Sequence, residues 1–194
     1  MTNVRRVAVV VLVAGLLGSC RGSGRAAGPP VPFDEDGACP FQCCTYREWT
    51  VAWDTDIYAE RRAGAPVAMR VTLGQTVQAL TGVVSTTKFG RAMADRAVAV
   101  GARRTPVAAG EPIYLIRNVG GGDWKIWVAG QVDQQYIPGQ GYCTGAQQSA
   151  DECAIKVVEQ PENVWWVRVR DGRGTEGWTR EVDHFGNQIG RAHV

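Results

Sequence analysis

Apolar and polar residues alternate with a period of two over most of the chain beyond residue 45, a pattern that predicts β-strands. The clearest case is 164–170, which is followed by Asp171-Gly172, a pair suited to a tight hairpin turn, and by a returning segment, 175–179. Helical periodicity is nearly absent: 92–98 and 149–157 are predicted to form a short helical turn at most. Glycines punctuate the strand-like runs at the spacing of a small barrel or sandwich. The pattern therefore predicts an all-β protein. Further strand-like runs are 47–53, 67–73, 76–84, 113–117 and 123–128.

Charge is balanced once the N-terminus is set aside. The 194 residues carry 21 basic and 19 acidic side chains, and two of the basic ones, Arg5 and Arg6, lie in 1–19. The remaining chain therefore has 19 of each, and a neutral body has no general attraction for a polyanion. This argues against nucleic acid as a partner.

The N-terminus has the pattern of an export signal. A basic start is followed by the apolar run 7–18, whose twelve residues would span only about 18 Å as a helix and cannot cross a bilayer. The stretch Leu17-Gly18-Ser19-Cys20 resembles a bacterial lipobox. That resemblance implies a signal peptide of residues 1–19, lipidation of Cys20, including acylation of its thiol, and attachment to the membrane; the alternative is an ordinary signal peptide cut nearby. The Gly-, Pro- and Arg-rich stretch that follows predicts a flexible spacer over 20–38.

Export places the remaining cysteines in an oxidising compartment, which favours disulfides. Cys143 and Cys153 flank a polar nine-residue stretch that a bridge could close. Cys39 could pair with Cys43 or with Cys44, whereas a bridge between those two neighbours is disfavoured by disulfide geometry. Five is an odd number, so one cysteine is left over or pairs between chains. A zinc site is disfavoured, because paired CxxC knuckles and a nearby histidine are both missing from the sequence.

Two segments resemble the halves of a bacterial SH3 domain. The first, 49–84, has a strand, a loop carrying Tyr58, and a strand that ends in a turn at Leu73-Gly74. The second, 165–179, has a Trp, alternating valines, a distal turn and Gly177-Trp178. The whole of 39–185 is similar to bacterial lipoproteins that carry an SH3-like domain. This resemblance implies an SH3-like barrel, with Trp178 packed inward and a tail over 186–194.

The two halves are separated by a long β-rich insertion, 85–164, where a short loop is expected. Two arrangements are open: extra strands that extend one barrel, or a second small barrel nested in or fused to the first. The faint strand–turn–strand pattern within the insertion favours nested or fused barrels that share a core.

Catalysis is not expected from this sequence. The two histidines lie in the last eleven residues, no helical run follows a cysteine to activate it, and neither a G-x-S-x-G elbow nor an H-E-x-x-H helix occurs. The acidic residues show no spacing that singles out a glycosidase pair. We expect neither a catalytic residue nor a metal or other cofactor.

Strand parity supplies candidate ligand contacts. In 164–170, Trp165 shares a face with two valines, whereas Trp166 shares the other face with Arg168, which predicts that Trp166 lies outside. By the same count Trp127 lies with Lys125. The two tryptophans are predicted to contact a ligand, and the two cations to meet carboxylates of a peptide. The alternative is that the insertion covers one or both tryptophans.

The resemblance implies a lipid-anchored module of the cell envelope that contacts peptidoglycan or an envelope protein. The alternative is a non-catalytic structural or assembly subunit of an envelope complex.

Overall fold

The computed structural model describes residues 28–40, 44–139, 143 and 150–187, and within them the protein is all-β, as the alternation predicts. The one α-helix of these residues is the four-residue α1 (Ala150–Cys153), and Val182–His184 forms a 3-10 turn. The first seven strands are β1 (Phe33–Asp36), β2 (Glu48–Val51), β3 (Thr55–Tyr58), β4 (Val67–Val71), β5 (Thr76–Lys88), β6 (Gly90–Ala94) and β7 (Val98–Val100). The others are β8 (Thr105–Val107), β9 (Pro112–Gly120), β10 (Asp123–Val128), β11 (Gln131–Tyr136), β12 (Ile155–Glu159), β13 (Glu162–Arg170), β14 (Glu176–Thr179) and β15 (Phe185–Gly186).

The strands form two main antiparallel sheets. The first sheet has the order β15-β2-β5-β13-β14-β3-β4, with β1 also paired to β5, and it curls into a half-barrel. The second sheet has the order β11-β10-β9-β6-β12, and β7 and β8 form a separate hairpin beside it. All strands of the second sheet lie between β5 and β13 in the chain, so the predicted insertion, 85–164, starts inside β5 and ends inside β13.

Each sheet has its own hydrophobic core. The first core comes from residues on both sides of the insertion: Trp49, Val51, Ile57, Val71, Val77, Ala79, Val84, Trp165, Val167, Val169 and Phe185. The second core comes wholly from the insertion: Ala92, Ala94, Val98, Val100, Val107, Ile113, Leu115, Trp124, Ile126, Val128, Ile137, Ala154 and Ile155. The expectation of one shared core is therefore wrong: the insertion packs around a core of its own.

Strand β1 lies inside the stretch predicted to be a flexible spacer. Its four residues pair with 83–86 of β5. The Phe33 ring makes edge contacts with Phe89 and Trp127, each with ring centres 6.1 Å apart. The spacer therefore ends before Phe33. Pairing with β5 and the ring contacts of Phe33 hold β1 in place, although the composition of this stretch is typical of an unstructured segment.

Trp178 does not pack inward, contrary to what the resemblance implies. Gly177 is the buried residue of the pair, and a Cβ on it would lie 2.7 Å from Cγ2 of Ile57. Because neighbours on a strand point to opposite faces, Trp178 lies on the outer face and is half-buried there.

Candidate ligand-binding site

Trp166 lies on the outer face of the first sheet, as parity predicts, but it is buried. The β3–β4 loop explains this. Arg61 of that loop bonds to Asp34 of β1 at 3.1 Å, and its guanidinium carbon lies 5.3 Å from the ring centre of Trp178 on β14. Strands β5 and β13 lie between those two partners, so the loop crosses the outer face above Trp166. The predicted exposure of Trp166 is therefore wrong, and the cover comes from this loop rather than from the insertion.

The two predicted cations are held by carboxylates of the protein. Arg168 bonds to Glu176 of the neighbouring strand at 2.7 Å. Arg170 bonds to the same carboxylate, and that hydrogen bond, with the charges of both arginines, keeps the pKa of Glu176 below its usual value. Lys125 bonds to Glu35 of β1. Both cations therefore already have a carboxylate partner within the protein.

Trp127 is half-buried and packs against Phe33 on the outer side of the second sheet. Its Nε1 is buried and has no hydrogen-bond partner among the described residues. Trp127 also lines a cavity of about 390 Å³ whose one charged lining residue is Glu111. In the β1–β5–β13 ladder, Phe33 and Trp166 project from opposite faces. The structure therefore does not bring the two predicted tryptophans together.

The predicted disulfides form where both partners are described. Cys143 is bonded to Cys153, with their Cα atoms 5.6 Å apart. Cys39 is bonded to Cys44, with a Cα separation of 6.0 Å, and this resolves the choice that the spacing left open. Cys43 and the predicted lipidation site, Cys20, lie outside the described residues.

A large concave site among the described residues is a cleft at the open side of the second sheet. Its cavity is about 930 Å³, within the range of small-molecule sites. The sheet curls without closing, so its two edge strands, β11 and β12, border the same cavity. A second cavity of about 250 Å³ shares Asn118, Trp124 and Gln160 with the first and carries the cleft on to Arg117 and Asn163.

The cleft combines aromatic rings with amide side chains. Trp124 is buried in the second core and lines the cavity, whereas Tyr136 is half-exposed at the end of β11. Asn118 and Gln160 border both cavities and are exposed. The side-chain amide of Asn118 is oriented by the backbone N–H of Gly120, which donates to its Oδ1 at 2.7 Å.

The turn between β9 and β10 fixes the position of Tyr136. Gly122 has φ +92°, and a Cβ there would lie 2.6 Å from the Tyr136 ring. The ring therefore lies against this turn at a distance that only glycine permits. The N–H of Ile137 donates to the carbonyl of Gly122 at 2.9 Å, which ties the end of β11 to the same turn. Tyr136 is thus a fixed surface at the mouth of the cleft.

The prediction from sequence missed this site. Asn118, Tyr136, Lys156 and Gln160 come from three separate segments, and none belongs to a motif. The run Gly120-Gly121-Gly122 is the one local signal, because three adjacent glycines indicate that something approaches the backbone closely.

Glu181, Asp183 and His184 form a small cluster at the 3-10 turn, with potential metal-ligating atoms within 4.8 Å of one another. Glu181 is 3.5 Å from Arg180, and Nδ1 of His184 is 2.9 Å from Oγ1 of Thr55. Glu181 and His184 therefore have partners within the protein.

The described residues do not assemble the thiol–imidazole pair that a cysteine peptidase needs. Cys39, Cys44, Cys143 and Cys153 are all bonded in disulfides, and His184 is bonded to Thr55. Cys43 and His193 lie outside the described residues.

Comparisons of the chain with protein-family models, with curated proteins and with solved structures gave no match. Within the described part of the chain, none of the helices is long and apolar enough to cross a membrane.

Proposed function

We propose that this protein is a lipid-anchored binding module of the bacterial cell envelope and that its ligand is peptidoglycan. The observation that carries the proposal is the cleft of about 930 Å³, with a fixed aromatic ring and two exposed amides at its mouth. Concave sites of this composition bind ligands, because rings supply apolar contact and amides supply hydrogen bonds of both polarities. The lipobox-like stretch before Cys20 supports attachment to the membrane.

One observation favours the alternative, a subunit that contacts other envelope proteins. Trp53 and Leu73 are 67% and 70% exposed, and they lie on neighbouring turns that a bond from the Leu73 N–H to Asp54 Oδ1 holds together at 2.9 Å. The two side chains form an exposed apolar patch, and Trp is enriched among the residues that anchor contacts between proteins. These turns lie at the Thr76 end of β5, whereas β1 pairs near the other end. Because β1 follows the proposed tether, the exposed turns lie at the end of β5 away from it.

A pull-down on purified sacculi separates the two functions. The detergent-solubilised full chain is compared with the variant Tyr136→Ala/Gln160→Ala in the cleft and with Trp53→Ser/Leu73→Ser on the turns. We expect the cleft variant to lose sacculus binding and the turn variant to keep it. The alternative would be established if the wild-type protein does not bind sacculi but captures envelope proteins, and if Trp53→Ser/Leu73→Ser abolishes that capture.

Detergent partitioning of Cys20→Ser tests the anchor. We expect the variant to move from the detergent phase to the aqueous phase, and its retention in detergent would contradict the lipid anchor.

A further inference from the structure

The charges that line the cleft restrict its ligand. Among the described residues, no aspartate or glutamate lines either of its two cavities, whereas Lys156 lines the larger one and Arg117 the smaller. A cationic ligand would find no counter-charge there, so the site suits a neutral or an anionic molecule.

The two cations are not equivalent. Arg117 is already paired with a carboxylate of the protein, since its Nε donates to Glu35 at 2.8 Å, and its side chain is only 14% exposed. Lys156 is exposed, and it forms no ion pair with the described residues. Lys156 starts from the outer face of the edge strand β12, since its neighbours Ile155 and Val157 face the core, so it lies at the rim of the cleft. Lys156 is therefore the group free to meet an anion at that rim, and one such group matches one carboxylate.

The uncharged lining restricts the ligand further. The ring of Tyr136 is fixed against Gly122 and offers a flat apolar surface, while Asn118 and Gln160 both donate and accept hydrogen bonds. A sugar ring presents an apolar face rimmed with hydroxyl groups that also donate and accept. A peptide stem would instead add amino groups or extra carboxylates, for which the cleft has no partners.

We propose that the cleft binds a saccharide of acetylated amino sugars that carries one carboxylate. This deepens the proposed function and rests on it: of the two chemical parts of peptidoglycan, the glycan strand occupies the cleft and the peptide stem does not. The sugar ring packs on Tyr136, the amides of Asn118 and Gln160 contact its hydroxyl and acetamido groups, and the carboxylate meets Lys156.

The test is a calorimetric titration of the full chain in detergent with three soluble probes. These are the acidic disaccharide N-acetylglucosaminyl-N-acetylmuramic acid, the uncharged disaccharide of N-acetylglucosamine, and a free stem pentapeptide. We expect the acidic disaccharide to bind several-fold more tightly than the uncharged one, and the peptide to bind weakly or not at all. Tighter binding of the peptide than of either sugar would overturn the proposal.

Two variants of Lys156 and one control variant test whether this lysine binds the carboxylate of the ligand. Lys156→Met keeps the length of the side chain and removes its charge, so we expect it to weaken binding of the acidic disaccharide by about 3–10-fold and to leave the uncharged one unchanged. Lys156→Arg should restore the preference. Arg173→Met, on the exposed β13–β14 hairpin, is the matched control and should change neither affinity. An unchanged preference in Lys156→Met would overturn the role of this lysine.

The outcomes also separate this inference from the proposed function. Wild-type protein that binds sacculi but neither disaccharide would overturn the inference and leave the function standing. Protein that binds neither sacculi nor any probe would overturn both.

Discussion

Replacing Glu35 with Gln should destabilise the protein by loosening the joint between its two sheets. Glu35 belongs to β1 of the first sheet, and its side chain is only 7% exposed. Arg117 on β9 donates to one carboxylate oxygen at 2.8 Å, and Lys125 on β10 bonds to the other. One buried carboxylate thus holds two cations of the second sheet.

The expected loss of unfolding free energy follows from the interactions that glutamine keeps and those that it loses. The amide retains the shape and one acceptor oxygen, so two charge-assisted bonds, each contributing about 1.5–3 kcal/mol, are replaced by at most one weaker bond. Lys125 is 34% exposed, so solvent screens part of its share. Arg117 and Lys125 face each other in the β9–β10 register and would then repel without a counter-charge. We expect a loss of about 2–4 kcal/mol in the free energy of unfolding.

Equilibrium unfolding in urea, followed by tryptophan fluorescence, measures this loss. The matched control is Glu60→Gln: its pair with Arg62 is 2.7 Å long but more than half exposed, and should contribute less than about 0.5 kcal/mol. A double-mutant cycle with Arg117→Gln isolates the pairwise term. A loss below about 1 kcal/mol for Glu35→Gln, or a coupling energy near zero, would refute the view that this carboxylate joins the sheets.

Two further changes test the first core and the second sheet. Gly177→Ala should cost about 1–3 kcal/mol in thermal unfolding, because its Cβ would lie 2.7 Å from Ile57, whereas Gly172→Ala, with no atom within 4 Å, should be neutral; equal effects would contradict the inward placement of Gly177. Burial raises the pKa of Asp133, but three backbone N–H bonds and the Arg103 cation together bring it below the usual 3.8. The stabilisation by this carboxylate is therefore present above pH 3.8 and lost as the pH falls further, so Asp133→Asn should be destabilised at pH 7 but approach wild type near pH 3, and a gap of the same size at both would argue against a charge effect.

Alternation of apolar and polar residues predicts strand bounds well where the local pattern agrees with the pairing of the strand in the sheet. Strand β10 has the predicted bounds, and β13 starts two residues before the predicted run. For 92–98 the sequence predicts a helical turn at most, yet the stretch contains the end of β6 and the start of β7. Its alanines have little strand preference of their own, and pairing with β9 and β12 determines their conformation. Such pairing over a long sequence separation leaves no local signal.

The site was harder to predict, because parity assigns a residue to a face but does not show what covers that face. Trp166 lies on the predicted face, yet the β3–β4 loop covers it. Lys125 lies beside Trp127 as predicted, yet Glu35, ninety residues away in the chain, occupies it. Cysteine spacing was more informative, since Cys143 and Cys153 close a short loop and need no knowledge of the fold to be paired.

The joint between the sheets also determines the charge of the cleft. Arg117 lines the smaller cavity, so without Glu35 the cleft would present two free cations and would suit a doubly charged anion such as a phosphate. With Glu35 in place, one charge is neutralised inside the protein and Lys156 remains as the free one. Under the proposed assignment, strand β1 contributes to ligand choice although none of its described residues lines the cleft, and it lies in the part of the chain that follows the proposed lipid anchor.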